Sequence, residues 1–323
     1  MSFLINSFRE LVAKDKDFAN KQEATSDILY PTGFPNFDVT NGYVAEGYNP
    51  KTKETYTYYN TGICDGSINL IIARSGSGKS TFCVQSAANI VRPFPDGAIF
   101  EENIEGGMTT QRRMQLSRFS MEETKRRFIV RNSGITIENF YKRVKAIHDL
   151  KMANIDKFSY DTGIHDIYGE PVIKMIPTVV ILDSLATIST EKVADEKEMS
   201  GQMSQTAAAK AIAAALRSLT PSCKEAGITI LMINHITQKV EINPMMHSKS
   251  QTIYLKNTET LPRGVTPIYL ANNVIRIDDS AKLKPEEGFG ISGSIATFSL
   301  VKSRSAKANS ATKMVFDQEV GFD

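Results

Sequence analysis

Residues 68–81 read Ile-Asn-Leu-Ile-Ile-Ala-Arg-Ser-Gly-Ser-Gly-Lys-Ser-Thr. The first six form an apolar run of strand length, and a helix is predicted over 79–91. Between them lies a Gly/Ser-rich turn ending in Gly-Lys-Ser. A phosphate-binding loop asks for glycine, four residues, then Gly-Lys-Ser/Thr; here Ala73 stands at the first glycine position. Glycines let backbone N–H groups turn toward phosphate oxygens, and the helix N-terminus adds a favourable dipole. Arg74, Ser75, Gly76, Ser77, Gly78, Lys79, Ser80 and Thr81 are therefore expected to hold a nucleotide. Lys79 would reach the β/γ-phosphates, and the Ser80 hydroxyl would ligate Mg²⁺. ATP with Mg²⁺ is the expected ligand.

Further along the chain, strands and helices alternate. Strands are predicted from Ala98, over Phe128–Arg131, over Thr178–Asp183 and from Ile228. One charged amphipathic helix is predicted over 109–127 and an Ala-rich one over 203–219. Near-continuous apolar strands separated by helices imply an α/β fold, a mostly parallel twisted sheet covered on both faces. After residue 265 shorter runs (268–277, 294–301, 313–317) predict antiparallel strands at one edge. Phe3, Leu4, Phe8, Leu11 and Val12 predict an N-terminal amphipathic helix over 3–20, broken by Pro31 and Pro35. The expected organisation is an N-terminal segment (1–30) and one core (31–323). The core carries an inserted hairpin at about 43–59 and another added hairpin within 134–176.

Composition excludes several classes. A hydrophobic content of 41% and a charged content of 23% suit a globular chain, and no apolar run approaches the roughly 20 residues of a membrane helix. Three cysteines without a C-x-x-C pair argue against a disulfide framework or a zinc site. The first ten residues show no signal peptide, so a cytoplasmic location is expected. A net charge of +2 is too mild to announce nucleic-acid binding by itself.

Other strand ends add chemistry. Asp183 closes its strand where the Mg²⁺ partner of such sites belongs. The acidic run Glu101-Glu102-Asn103-Ile104-Glu105 offers a carboxylate to activate water. Asn234-His235 ends a fourth strand, where a polar group can touch the γ-phosphate and report it to the following loop.

With these residues in place, the chain resembles the RecA-type recombinases, most closely their phage UvsX-type branch, from about Thr32 to the C-terminus. The resemblance runs through Thr32-Gly-Phe-Pro-Asn-Phe-Asp, Phe94-Pro-Asp-Gly-Ala to Glu105-Gly-Gly-Met-Thr, Asp183-Ser-Leu-Ala, Asn234-His-Ile-Thr, Gly264 to Val274, and Lys302-Ser-Arg304. It implies a RecA-like ATPase core that forms helical filaments on single-stranded DNA, pairs it with homologous duplex DNA, and hydrolyses ATP in a DNA-dependent manner. It places the catalytic glutamate on Glu105; the related Phe-Glu-Glu of KaiC-like ATPases would select Glu101 or Glu102 instead. It makes His235 the sensor, puts Arg112 at the adenine-stacking position, and makes Lys302 and Arg304 contacts to the neighbouring subunit's nucleotide. The N-terminal segment would serve polymerisation. DNA-binding loops are implied over 189–202 and 239–264. The second carries Lys239, His247, Lys249, Lys256 and Arg263; the first is rich in acidic residues. Further implied partners are single-strand-binding and mediator proteins in a phage-infected bacterium. Two other readings are a ring-forming motor of DnaB or RadA helicase type, and a recombinase-paralogue assembly protein that barely turns over.

Overall fold

The computed structural model describes residues 27–191, 202–238, 250, 252–283 and 293–323. The predicted 3–20 helix, Lys239, His247, Lys249 and most of the 189–202 loop lie outside the described residues.

The core is a nine-stranded sheet. Its strands are β1 (Ile68–Ala73), β2 (Ala98–Asn103), β3 (Phe128–Arg131), β4 (Thr178–Asp183), β5 (Ile228–His235), β6 (Asn273–Leu283), β7 (Gly293–Ser303), β8 (Ser310–Asp317) and β9 (Gly321–Phe322). Their spatial order is β9-β8-β7-β6-β1-β5-β4-β2-β3. The run β6-β1-β5-β4-β2-β3 is parallel throughout, while β6 to β9 pair antiparallel. The expected α/β class, mostly parallel sheet and antiparallel edge are thus all present.

The central strands are buried from end to end because helices cover both faces. Side chains alternate between two cores with the period of two that a strand imposes. Ile71, Ile181, Ile233 and Ile275 face a core containing Phe82, Val84 and Ala88 of helix α2 (Lys79–Val91), whose predecessor α1 spans Pro35–Thr40. Leu70, Ile72, Val180, Leu182 and Met232 face the other. That second core is closed by α5 (Ile137–Met152) and α6 (Gln202–Ala226); α3 (Thr110–Ser117) and α4 (Met121–Arg127) precede them in the chain.

The lead-in before the core is knotted locally. Asp38 accepts hydrogen bonds from the backbone N–H and the hydroxyl of Thr32 and from the N–H of Gly33. This turn delivers Phe34 and Phe37 onto Phe82, at ring distances of 5.5 and 5.4 Å.

Four expectations need correction. The single helix over 109–127 is two, because Arg118 takes a left-handed φ of 56° and Ser120 opens a new helix with a capping box to Glu123. The Ala-rich helix runs on past Pro221 to Ala226. The 268–277 run is a short helix, α7 (Thr266–Leu270), followed by β6; Pro267 near its start favours the helix. The 134–176 stretch is not a hairpin throughout: it begins with the 16-residue α5, capped by Thr136, and the added hairpin is confined to Ser159–His165 and Pro171–Met175. The 43–59 hairpin forms as Gly42–Asn49 and Glu54–Thr61. The two hairpins meet through Tyr48 N–H to Asp166 O (2.9 Å) and His165 N–H to Tyr56 Oη (2.9 Å).

Candidate functional site

Parallel strands in register bring their carboxyl ends to one edge. Ala73 pairs with His235, and Asp183 with Asn103. Ligands of open α/β sheets bind along such an edge.

The loop between β1 and α2 holds Gly76 and Gly78 at φ +78°. Gly78 is constrained twice over, since a Cβ there would lie 2.6 Å from the Phe322 ring. Arg74, Ser75 and Gly76 are exposed, and the Ser77 hydroxyl donates to Arg74 O at 3.0 Å. Lys79 is buried, and its Nζ donates to Arg74 O at 2.8 Å. Burial draws its pKa down, opposed by the nearby Asp183 and Glu105.

The Ser80 hydroxyl donates to Asp183 Oδ2 at 2.5 Å. Asp183 is buried, and burial raises its pKa against the Ser80 hydrogen bond; Glu105 and Glu101 push it further up. A hydroxyl beside a buried carboxylate that needs a cation is a donor set suited to Mg²⁺, which keeps several waters and takes one or two protein oxygens alongside substrate phosphates. Loop, lysine and this pair fit a Mg²⁺-nucleotide.

The three glutamates after Phe100 have separate surroundings. Glu101 is buried in a bidentate ion pair with Arg113 of α3, at 2.6 and 2.9 Å. Glu102 is likewise gripped by Arg143 of α5, at 2.6 and 2.5 Å. Glu105 lies beyond the strand, with its N–H and that of Ile104 donating to Asp183 O. Its Oε1 accepts from Ser184 Oγ at 2.5 Å and from His235 Nε2 at 2.8 Å. Burial pushes the Glu105 carboxyl up, but the Ser184 and His235 hydrogen bonds and Lys79 outweigh it and hold the carboxyl below its ordinary value. The alternative base Glu102 is thus held in an ion pair with Arg143, whereas Glu105 carries no arginine partner among the described hydrogen bonds. Lys79, Ser80, Asp183, Glu105 and His235 form one cluster.

Other expected residues lie further out. Arg112 donates to Glu319 O, so its guanidinium is tied to the turn before β9. Lys256 lines a cavity of about 410 Å³ with Arg74, Ser77, Asp278, Asp279 and Thr297. Arg263 has a left-handed φ of 64° and a buried Nε without a hydrogen-bond partner; burial lowers its pKa. Lys302 Nζ donates to the carbonyls of Ile268, Tyr269 and Ala271, and Arg304 to Tyr269 O, so the pair caps the C-terminus of α7. Ser303 pairs with Asn273, and Asn273 with Asn69 at the start of β1. The two cations thus sit at the sheet end opposite the loop between β1 and α2.

Sequence reasoning did not find Arg113, Arg143 or the contact of Ser184 with Glu105. The two arginines carry no local signal, because tertiary packing brings them to their glutamates. Ser184 was visible as the residue after a strand-end aspartate, but nothing in the sequence connects it with Glu105.

A scan against models of known protein families finds no match, and a search of curated proteins finds none either. Among the described residues, no helix is long and apolar enough to cross a membrane.

Proposed function

We propose that this chain is a RecA-type ATPase that assembles as a helical filament on single-stranded DNA and promotes pairing with homologous duplex DNA. The observation that carries the ATPase part is the single cluster at the sheet edge: the phosphate loop with Lys79, the Ser80–Asp183 pair, and Glu105 held between Ser184 and His235. The filament part is supported by Lys302 and Arg304, which lie too far from their own loop, across the length of the sheet, to serve it. A second copy stacked end-on would present them to its neighbour's nucleotide.

On this reading the residues divide the work. Backbone N–H groups of residues 75–79 and Lys79 bind the phosphates in place. Ser80 and Asp183 hold Mg²⁺, which, when bound, neutralises charge on the β- and γ-phosphates. Glu105, its carboxylate held in place by the hydrogen bonds from Ser184 and His235, takes a proton from the attacking water. His235 ends β5 and leads directly into the 239–264 loop, so a contact with the γ-phosphate would be felt in a segment expected to touch DNA. Lys256, which lines one cavity with Arg74 and Ser77, gives that loop a second root near the phosphate site.

Electron microscopy with single-stranded DNA and a non-hydrolysable ATP analogue tests the assembly. Helical filaments are expected. Closed rings would move the reading to a motor of helicase type, and free protomers would remove the filament from it.

A further inference from the structure

We infer that Ser184 is a positioning residue for ATP hydrolysis: it fixes the Glu105 carboxylate so that one chosen oxygen faces the water. This rests on the ATPase reading above and adds a residue to it. Glu105 needs such a post. It stands past the end of β2, exposed, and is followed by Gly106 and Gly107, around which a Cβ would meet nothing within 4 Å. Neither packing nor the following chain fixes its side chain. A carboxylate free to rotate offers a water either oxygen, at variable distance, and misplacement of a reacting group by about 1 Å costs up to 10²-fold.

The hydrogen bonds supply what packing does not. Ser184 Oγ and His235 Nε2 reach the same oxygen, Oε1, from the ends of two different strands. A carboxylate oxygen has about two acceptor positions, so Oε1 is filled and Oε2 is left to take the proton. The two donors are not equivalent. His235 is partly exposed and belongs to the group proposed to respond to the γ-phosphate. Ser184 is fully buried and locked. Its carbonyl accepts from the N–H and the hydroxyl of Thr187, at 3.3 and 3.1 Å, and the next residue, Leu185, donates its N–H to Ile233 O at 2.8 Å. Ser184 is therefore the donor that keeps its place through a catalytic cycle, and Glu105 stays oriented when His235 turns away.

The test is steady-state ATP hydrolysis by full-length Ser184→Ala and Ser184→Cys, alone and combined with Glu105→Gln. Cysteine keeps the shape and is a weak donor, so it separates loss of the hydrogen bond from loss of packing. A fall in kcat of roughly tenfold or more is expected in both variants, with KM for ATP within about twofold of wild type. In the Glu105→Gln background the same changes should reduce the rate less than about twofold, because the positioned group is already gone. Wild-type kcat in Ser184→Cys would overturn the inference. So would an undiminished loss on top of Glu105→Gln, which would mean that Ser184 acts independently of Glu105. Glu105→Gln hydrolysing at the wild-type rate would instead sink the assignment of the base itself.

Discussion

Lys79 and Glu105 are asked to do different things, and their substitutions should separate. Lys79→Ala removes the cation of the proposed phosphate loop and is expected to abolish ATP binding together with hydrolysis, measured by fluorescent-nucleotide titration. Glu105→Gln keeps size and polarity but cannot accept the proton. Hydrolysis should fall by about 10²- to 10³-fold while ATP binding stays near wild type. Glu102→Gln provides the contrast: with Arg143 left short of its partner, the thermal midpoint should drop, but the hydrolysis rate per folded molecule should hold. If Glu102→Gln stopped hydrolysis and Glu105→Gln did not, the choice between the two carboxylates would be reversed.

At the scale of elements, the most useful ion pair is Glu259 with Arg276. It ties Glu259–Thr260, which pairs with Thr237–Gln238 after β5, to β6. Arg276 grips Glu259 at 2.7 and 2.8 Å, and its hydrogen bonds carry the carboxyl down to about 2 from an ordinary 4.5. The sign follows from linkage. A carboxyl lower in the folded than in the unfolded chain adds stability that is complete above about pH 4.5 and is lost as pH falls toward 2. Thermal midpoints measured over that range should fall more steeply for wild type than for Glu259→Gln. At neutral pH, Glu259→Gln should cost about 3 kcal/mol, the lower end for breaking a buried pair, since Asp278 still bonds Arg276. Equal pH slopes for the two proteins would count against the pair as an anchor of this segment.

Much of this scale was legible in the sequence. The strands Ile68–Ala73, Thr178–Asp183 and Ile228–His235 are long apolar runs, and Gly78-Lys79-Ser80 marks the turn into α2 beyond doubt of register. The breaks were not legible. Residues 109–127 keep a helical charge pattern across Arg118, so only the left-handed φ and the Ser120 cap reveal the division. Residues 268–270 are apolar enough for a strand, and the helix there follows from Pro267 and from the cap that Lys302 supplies across 34 residues of sequence. The Glu105 cluster was readable as strand ends but not as hydrogen bonds, because Ser184 and His235 meet one carboxylate oxygen only after three strands align.

For the whole molecule, the position of Lys302 and Arg304 yields a test by mixing. Lys79→Ala lacks the phosphate site but keeps the basic pair; Lys302→Ala/Arg304→Ala keeps the site and lacks the pair. Each alone should be inactive in DNA-stimulated hydrolysis. Mixed in equal amounts, they should recover part of the wild-type rate, because one interface in the assembly joins an intact loop to an intact pair. No recovery on mixing at any protein concentration would show that the pair acts within its own chain.

The central claim is that DNA assembles an ATP-hydrolysing interface, and the ATPase rate with and without single-stranded DNA, repeated at rising salt, tests it most directly. Strong stimulation that falls steeply with salt is expected, since phosphate contacts release counterions when they form. A rate indifferent to DNA at every salt concentration would contradict the account.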